Sequence, residues 1–239
     1  MRFFPGAALA VAMLGAPVVS VDAQLPSVQE VYDRYATAVG GRDLWSKVAY
    51  RSEKGMATIA FANLTASYER YYAAPHKMRL IIDIGMGRIQ QGNDGTIAWN
   101  GQPDGSVARM PAPEGAYAIE AATVGAAFLD PSLFTKSAVV AQEDFDGVPC
   151  YKLAVTTRAG RERIDFFEVA TGLRRGQVVQ TPGGEQKTVF RDFKAFEGKL
   201  VSTTQVLTNP QGDIIITIAS VSFAPNDPKL FELPAGIEK

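Results

Sequence analysis

Few side chains in this 239-residue chain are of a type and spacing that could do chemistry. Its single histidine, His76, follows Pro75 in a turn and has no Asp, Glu or Ser spaced to make it a base, so it reads as a turn residue. Its single cysteine, Cys150, lies in a run where Tyr151, Leu153 and Val155 take the opposite face, which suits a small buried hydrophobe as well as a reactive thiol, and the structural reading is the default. One cysteine and one histidine supply neither a disulfide nor a zinc cluster. Asp144-Phe145-Asp146-Gly147 resembles the start of a calcium loop, but Val155 stands at the twelfth position, where a bidentate carboxylate is needed, so the stretch is read as a hairpin turn. Gly85-Met86-Gly87 runs on to Gln90 where a dinucleotide fingerprint requires glycine, and no Gly-x-Ser-x-Gly elbow occurs. Arg158, Arg161 and Arg163 crowd one hairpin and Arg174-Arg175 another; solvated strand faces explain them more readily than an anion site, and they are left unassigned. Asn63-Leu64-Thr65 has the letters of a glycosylation sequon, which matters only in a eukaryotic secretory route. An enzyme would need a polar pair inside the apolar interior. Glu69, Arg70 and Asp83 are the nearest candidates, and strand alternation separates Glu69 from Arg70. No catalytic residue, metal or cofactor is expected.

The charge balance, 24 basic against 25 acidic side chains, exerts no general pull on nucleic acid, while 46% hydrophobic residues suffice for one sizeable core. Phe3 to Val19 is apolar apart from small residues, follows Arg2 and leads into Val21-Asp22-Ala23 before Gln24. This is the pattern of a secretory signal peptide, residues 1–23, cleaved after Ala23. The stretch is short and broken by Pro5, Gly15 and Pro17, unlike a membrane anchor, and Cys150 is too far away to carry a lipid at the cleavage site. Residues 24–239 are expected to form one exported, soluble domain.

The elements that must position any site follow from periodicity. Ser27-Val28-Gln29-Glu30 is a capping box, and Val28, Val31, Tyr32, Tyr35 and Val39 continue at helical spacing to Gly40-Gly41. Short alternating runs then predict strands over Met56 to Phe61, Thr65 to Tyr72, Met78 to Ile84 and Ile97 to Trp99. In the third, Met78, Leu80, Ile82 and Ile84 share one face and Lys77, Arg79 and Asp83 the other, wet one. Turn signals recur at Asp146-Gly147, Ala159-Gly160, Thr171-Gly172, Gly183-Gly184, Glu197-Gly198 and Gln211-Gly212. Strands joined by such short turns are antiparallel neighbours, so this half is an up-and-down meander. About eleven strands are expected in all, past the size at which an open twisted sheet curls. Between the halves, Glu114 to Leu129 reads as a second helix, with Tyr117, Ala121, Val124 and Phe128 at helical spacing. The fold class is therefore mainly β (α+β): a curved antiparallel sheet forming an unclosed half-barrel, with two helices as plug or lid over its concave face.

Tyr72-Ala73-Ala74-Pro75-His76-Lys77-Met78-Arg79-Leu80, followed by Gln91-Gly92-Asn93-Asp94-Gly95-Thr96-Ile97-Ala98-Trp99, resembles the strand, proline turn, strand and DGxxxW hairpin of the LolA/LolB-like lipoprotein-carrier superfamily. The ending, Asp227-Pro228-Lys229-Leu230-Phe231-Glu232-Leu233-Pro234-Ala235-Gly236, is similar to the F-x-x-P-x-G close of outer-membrane lipoprotein-sorting proteins. The resemblance implies an unclosed barrel lidded by helices over a hydrophobic cavity, a periplasmic location, and acyl chains, lipids or lipoproteins as ligands. The best-known carriers hold the lid shut with an arginine directly before the turn proline; here that position is Ala74, so the latch is absent or relocated. Arg70 could replace it, whereas alternation puts Arg79 on the wet face.

The expected function is thus a monomeric periplasmic carrier of a hydrophobic ligand, with membrane-associated donor and acceptor proteins. Candidate lining residues are Met78, Leu80, Ile82, Ile97 and Trp99 from the sheet and Tyr117, Val124 and Phe128 from the lid. The alternative is a sensor or scaffold that binds a protein partner through the same concave face.

Overall fold

The computed structural model describes residues 24–125 and 127–238; the expected signal peptide lies outside them. Helix α1 (Val28–Ala38) opens the domain, with both arms of the capping box formed between Ser27 and Glu30. A single-turn helix α2 (Arg42–Trp45), not foreseen, follows Gly40-Gly41. The sheet then begins with β1 (Tyr50–Ile59), β2 (Leu64–Ala73), β3 (Lys77–Asp83), β4 (Arg88–Asn93), β5 (Ala98–Gly101) and β6 (Val107–Arg109). After helix α3 (Glu114–Ala121) come β7 (Phe134–Phe145), β8 (Val148–Thr157), β9 (Glu162–Glu168), β10 (Arg174–Thr181), β11 (Gly184–Phe196), β12 (Lys199–Asn209) and β13 (Gly212–Ser222).

The 13 strands of the described residues form one antiparallel sheet in the order β6-β5-β4-β3-β2-β1-β13-β12-β11-β10-β9-β8-β7. Two meanders therefore meet at the β1–β13 pair, and all six turn signals of the second half mark junctions between consecutive strands, with Gly184 and Gly212 already the first residues of β11 and β13. The two strands beyond the expected eleven are β4 and β6. Arg-Ile-Gln-Gln-Gly-Asn has no run of apolar alternation, and a three-residue strand is too short to show a period. At the seam, β1 carries a bulge between Lys54 and Gly55, where a Cβ on Gly55 would lie 1.9 Å from the Thr217 carbonyl oxygen. Only glycine admits that approach.

The end strands β6 and β7 do not pair, so the sheet curls without closing. Residues 110–133 must carry the chain from one edge to the other, and α3 is therefore suspended across the mouth. The expected helix Glu114 to Leu129 is shorter than its spacing suggested: α3 stops at Ala121, and Ala127–Leu129 form a separate 3-10 turn. Thr123 turns its hydroxyl back on the Glu120 carbonyl, and the β-branched Thr123-Val124 followed by Gly125 favours leaving the helix. Helix α1 fills one half of the concavity. Val31, Tyr35 and Val39 pack there against Leu153, Val155 and Phe167, while the Tyr32 hydroxyl is 2.8 Å from that of Ser137. A smaller cluster of Phe145, Cys150, Phe166 and Val189 stiffens the convex side.

Candidate functional site

The half of the concavity that α1 leaves open holds a cavity of about 470 Å³. It joins a groove of about 500 Å³ beneath α3, since Arg70, Tyr72, Leu80, Gln91, Tyr117 and Arg161 line both. The register of the strands decides which side chains point inward. Glu53 of β1 lies opposite Arg70 of β2, which lies opposite Leu80 of β3, and the next row places Arg51 beside Tyr72 and Met78. Directly paired residues in an antiparallel sheet share a face, so acid, arginines and apolar residues all face the same interior.

Two charged clusters are built into this wall. Glu53, only 1% exposed, accepts from Arg70 Nε at 3.0 Å and Nη2 at 2.7 Å on one oxygen, while its other oxygen lies 3.2 Å from Arg51 Nε. Burial pushes the Glu53 carboxyl up, but Arg70 and Arg51 together outweigh it and hold the group below its usual range. Burial also works against the Arg70 charge, and Glu53 with Tyr68 and Tyr72 raises it well above the ordinary value. Across the cavity, Asp165, fully buried, takes Arg163 Nε at 2.8 Å and Arg174 Nε at 2.7 Å. Burial pulls the Arg174 guanidinium down, and its neighbour Arg163 pulls the same way against Asp165. Between the clusters stands Tyr35 of α1, whose hydroxyl burial pushes up to about 12, with Arg174 and Arg51 opposing. The Tyr68 hydroxyl is buried with no hydrogen-bond partner among the described residues.

The lid is tied to the far side of the half-barrel. The Ala159 amide donates to the Glu120 carboxylate at 3.1 Å, and the Arg161 guanidinium lies 4.7 Å from the centre of the Tyr117 ring. Neither arginine considered in place of the missing latch makes such a tie. Arg70 is committed to Glu53, and Arg79 stacks 4.3 Å from the Trp99 ring on the convex face.

The expected lining residues part company accordingly. Leu80 and Tyr117 border both compartments and Met78 borders the groove. Ile82 packs with Tyr68 and Ile216, Val124 with Tyr72 and Met78, and Phe128 within a ring cluster of Tyr32, Tyr35, Phe134 and Phe167. Ile97 lies in a separate groove with Met110 and Ile119. Trp99 does not face the cavity: it pairs with Gly92, which pairs with Arg79, so its ring lies on the convex side over a glycine that leaves room for it.

The arginines need the larger correction. Arg163 and Arg174 are not on a solvated strand face but point inward, each 15% exposed, and Arg161 borders the cavity; Arg175 pairs outside with Asp146 of the β7–β8 turn. Glu53 and Arg51, which periodicity does not single out, complete the first cluster. The available signal was an Arg-x-Glu and an Arg-x-Asp, at Arg51/Glu53 and Arg163/Asp165, whose two-residue spacing puts opposite charges on one strand face. Glu69 does lie opposite to Arg70, outward, with Lys54 and Tyr71. His76 Nδ1 is buried without a partner among the described residues, and burial pushes the Cys150 thiol up to about 12, so neither assembles a nucleophile. No group of three or more His, Cys, Asp or Glu able to hold a metal occurs among the described residues.

No family model matches the chain, and no curated protein matches it in sequence. Solved structures do match in shape. A LolA superfamily protein from Nitrosomonas europaea superposes with a TM-score of 0.59 at 10% identity, over 87% of this chain and 99% of that one. A DUF1329 family protein from Desulfovibrio piger gives 0.58 at 16% identity, over 86% and 97%. A putative outer membrane lipoprotein-sorting protein domain from Vibrio parahaemolyticus gives 0.52 at 11% identity, over 88% and 93%. With the unclosed sheet and the suspended helix, these likenesses establish a LolA-like fold for this chain.

Proposed function

We propose that this protein is a non-catalytic carrier or binding protein of the bacterial envelope, exported to the periplasm, which takes the hydrocarbon chain of a lipid or lipoprotein between its sheet and its lid. The observation that carries this reading is the pair of connected compartments under α3, each within the size range of small-molecule sites. The names borne by the similar structures, LolA superfamily and lipoprotein-sorting, point the same way. Each methylene moved out of water contributes about 0.8 kcal/mol, so a chain of about fifteen carbons gives about 12 kcal/mol gross. That rivals membrane affinity, so unloading requires an acceptor of similar apolarity and a lid that opens at modest cost. Leu80, Met78 and Tyr117 are the proposed chain contacts.

Native mass spectrometry of the mature protein from a membrane-containing host, with lipid analysis of an organic extract, tests this. A stoichiometric hydrophobic adduct is expected, lost in a folded Ala121→Trp variant, since Ala121 lines both compartments and the larger side chain fills the passage between them. Bare mass, together with no uptake of added oleate, would sink the reading.

A further inference from the structure

An acyl chain explains Leu80 and Tyr117 but not the charge around them. Five arginines line the cavity, Arg51, Arg70, Arg161, Arg163 and Arg174. The carboxylates facing them are Glu53, Asp165 and Glu120, and Glu114 lines the joined groove, which leaves the interior with one positive charge over. The imbalance is also visible atom by atom. Each guanidinium has five N–H donors. Arg163 spends only Nε on its carboxylate, Arg51 Nε lies 3.2 Å from Glu53 but is buried without a hydrogen-bond partner among the described residues, and Arg161 has no carboxylate partner among them. The buried Tyr68 hydroxyl, beside Arg70, is likewise without a hydrogen-bond partner among the described residues. An uncompensated cation and idle donors in a part-dry interior cost free energy unless an acceptor arrives, and a cavity meant for hydrocarbon alone would be better served by leucine.

We infer that the cavity selects amphiphiles with an anionic head, an oxyanion of carboxylate or phosphate type, which is received by Arg161 and the free guanidinium edge of Arg51. The inference deepens the carrier reading and rests on it. Arg70 and Arg161 flank the junction of cavity and groove, so the head sits at the junction and the chain extends past Leu80 and Tyr117 under α3. Arginine suits the task because its planar fork stays charged and grips two oxygens at once.

The test is competition in native mass spectrometry between 1-oleoyl lysophosphatidic acid and monooleoylglycerol, equal in concentration, identical in chain and different in the phosphate, with inorganic phosphate as a third arm. The wild-type protein is expected to take the phosphate lipid at least about tenfold more often, as loss of charge-assisted hydrogen bonds implies. Arg161→Gln combined with Arg51→Met should bring the ratio near one, and Arg161→Lys should keep most of the preference. Arg161 leaves no carboxylate orphaned and Glu53 retains Arg70, so these variants should fold, which thermal melts verify. Equal occupancy by both lipids in the wild type, or an unchanged preference in the double variant, overturns the selectivity and leaves the carrier reading intact. Binding of neither lipid overturns both. Inorganic phosphate binding that does not compete with the lipid shows a site for a free anion and overturns the amphiphile.

Discussion

At the scale of the residue, Glu53 is the side chain on which most depends. Its carboxyl is held below the usual range by Arg70 and Arg51 against the opposing effect of burial. A group depressed in the folded state stabilises it above its unfolded value, and that contribution is lost as pH falls through the folded value. The urea midpoint should therefore drop on acidification below about pH 4.5, and the drop should be shallower in Glu53→Gln when both are followed by circular dichroism. At neutral pH that variant is expected to lose about 3–5 kcal/mol, because two arginines remain buried around an uncharged amide. Glu69→Gln, on the convex face, should stay within about 0.5 kcal/mol of wild type. Cys150 supplies an independent check. With its thiol pushed up to about 12 and fully buried, it should resist iodoacetamide at pH 8 in the native protein and react only as fast as the fold opens. Rapid labelling without unfolding would contradict the packing of that convex cluster.

At the scale of the element, α3 has eight residues, too few to persist as a helix without support. Its support is the Glu120 carboxylate on the Ala159 amide and Tyr117 under Arg161, together with Ala122 and Val124 packed on Tyr72 and Met78. Glu120→Ala removes about 1 kcal/mol of hydrogen bond, so amides of α3 should exchange with deuterium roughly fivefold faster while those of β1 and β13 stay unchanged. Equal acceleration everywhere would mean that the lid does not open separately. The helix span was the least legible element. The apolar spacing from Tyr117 to Phe128 is real, but it arises from two pieces anchored to different partners, α3 over the groove and Phe128 in the ring cluster. Period alone does not distinguish one helix from two.

At the scale of the molecule, the seam between β1 and β13 joins segments from opposite ends of the domain, and both meanders depend on it. Gly55→Ala should lower stability by at least about 1–3 kcal/mol in urea titration, because its methyl meets the Thr217 carbonyl at the bulge. An unchanged midpoint would place the seam's strength elsewhere. Curvature and the unpaired edges β6 and β7 also make the lid unavoidable: a chain leaving one edge and resuming at the other must cross the mouth.

The sequence by itself determined the elements whose cause is local. The capping box, the six turn signals of the second meander and the parity that divides Met78 and Leu80 from Arg79 all act within a few residues, and all are realised. The tertiary structure alone decided what depends on partners distant in the chain. Only the register through Gly92 sends Trp99 outward, and only the curl of the sheet sets Glu53, Arg70, Asp165 and Arg174 about one interior. In sequence these arginines are indistinguishable from a solvated strand face, because alternation assigns a side chain to one of two faces but not to the wet or the dry one. That assignment is made by closure of the whole sheet around its lid.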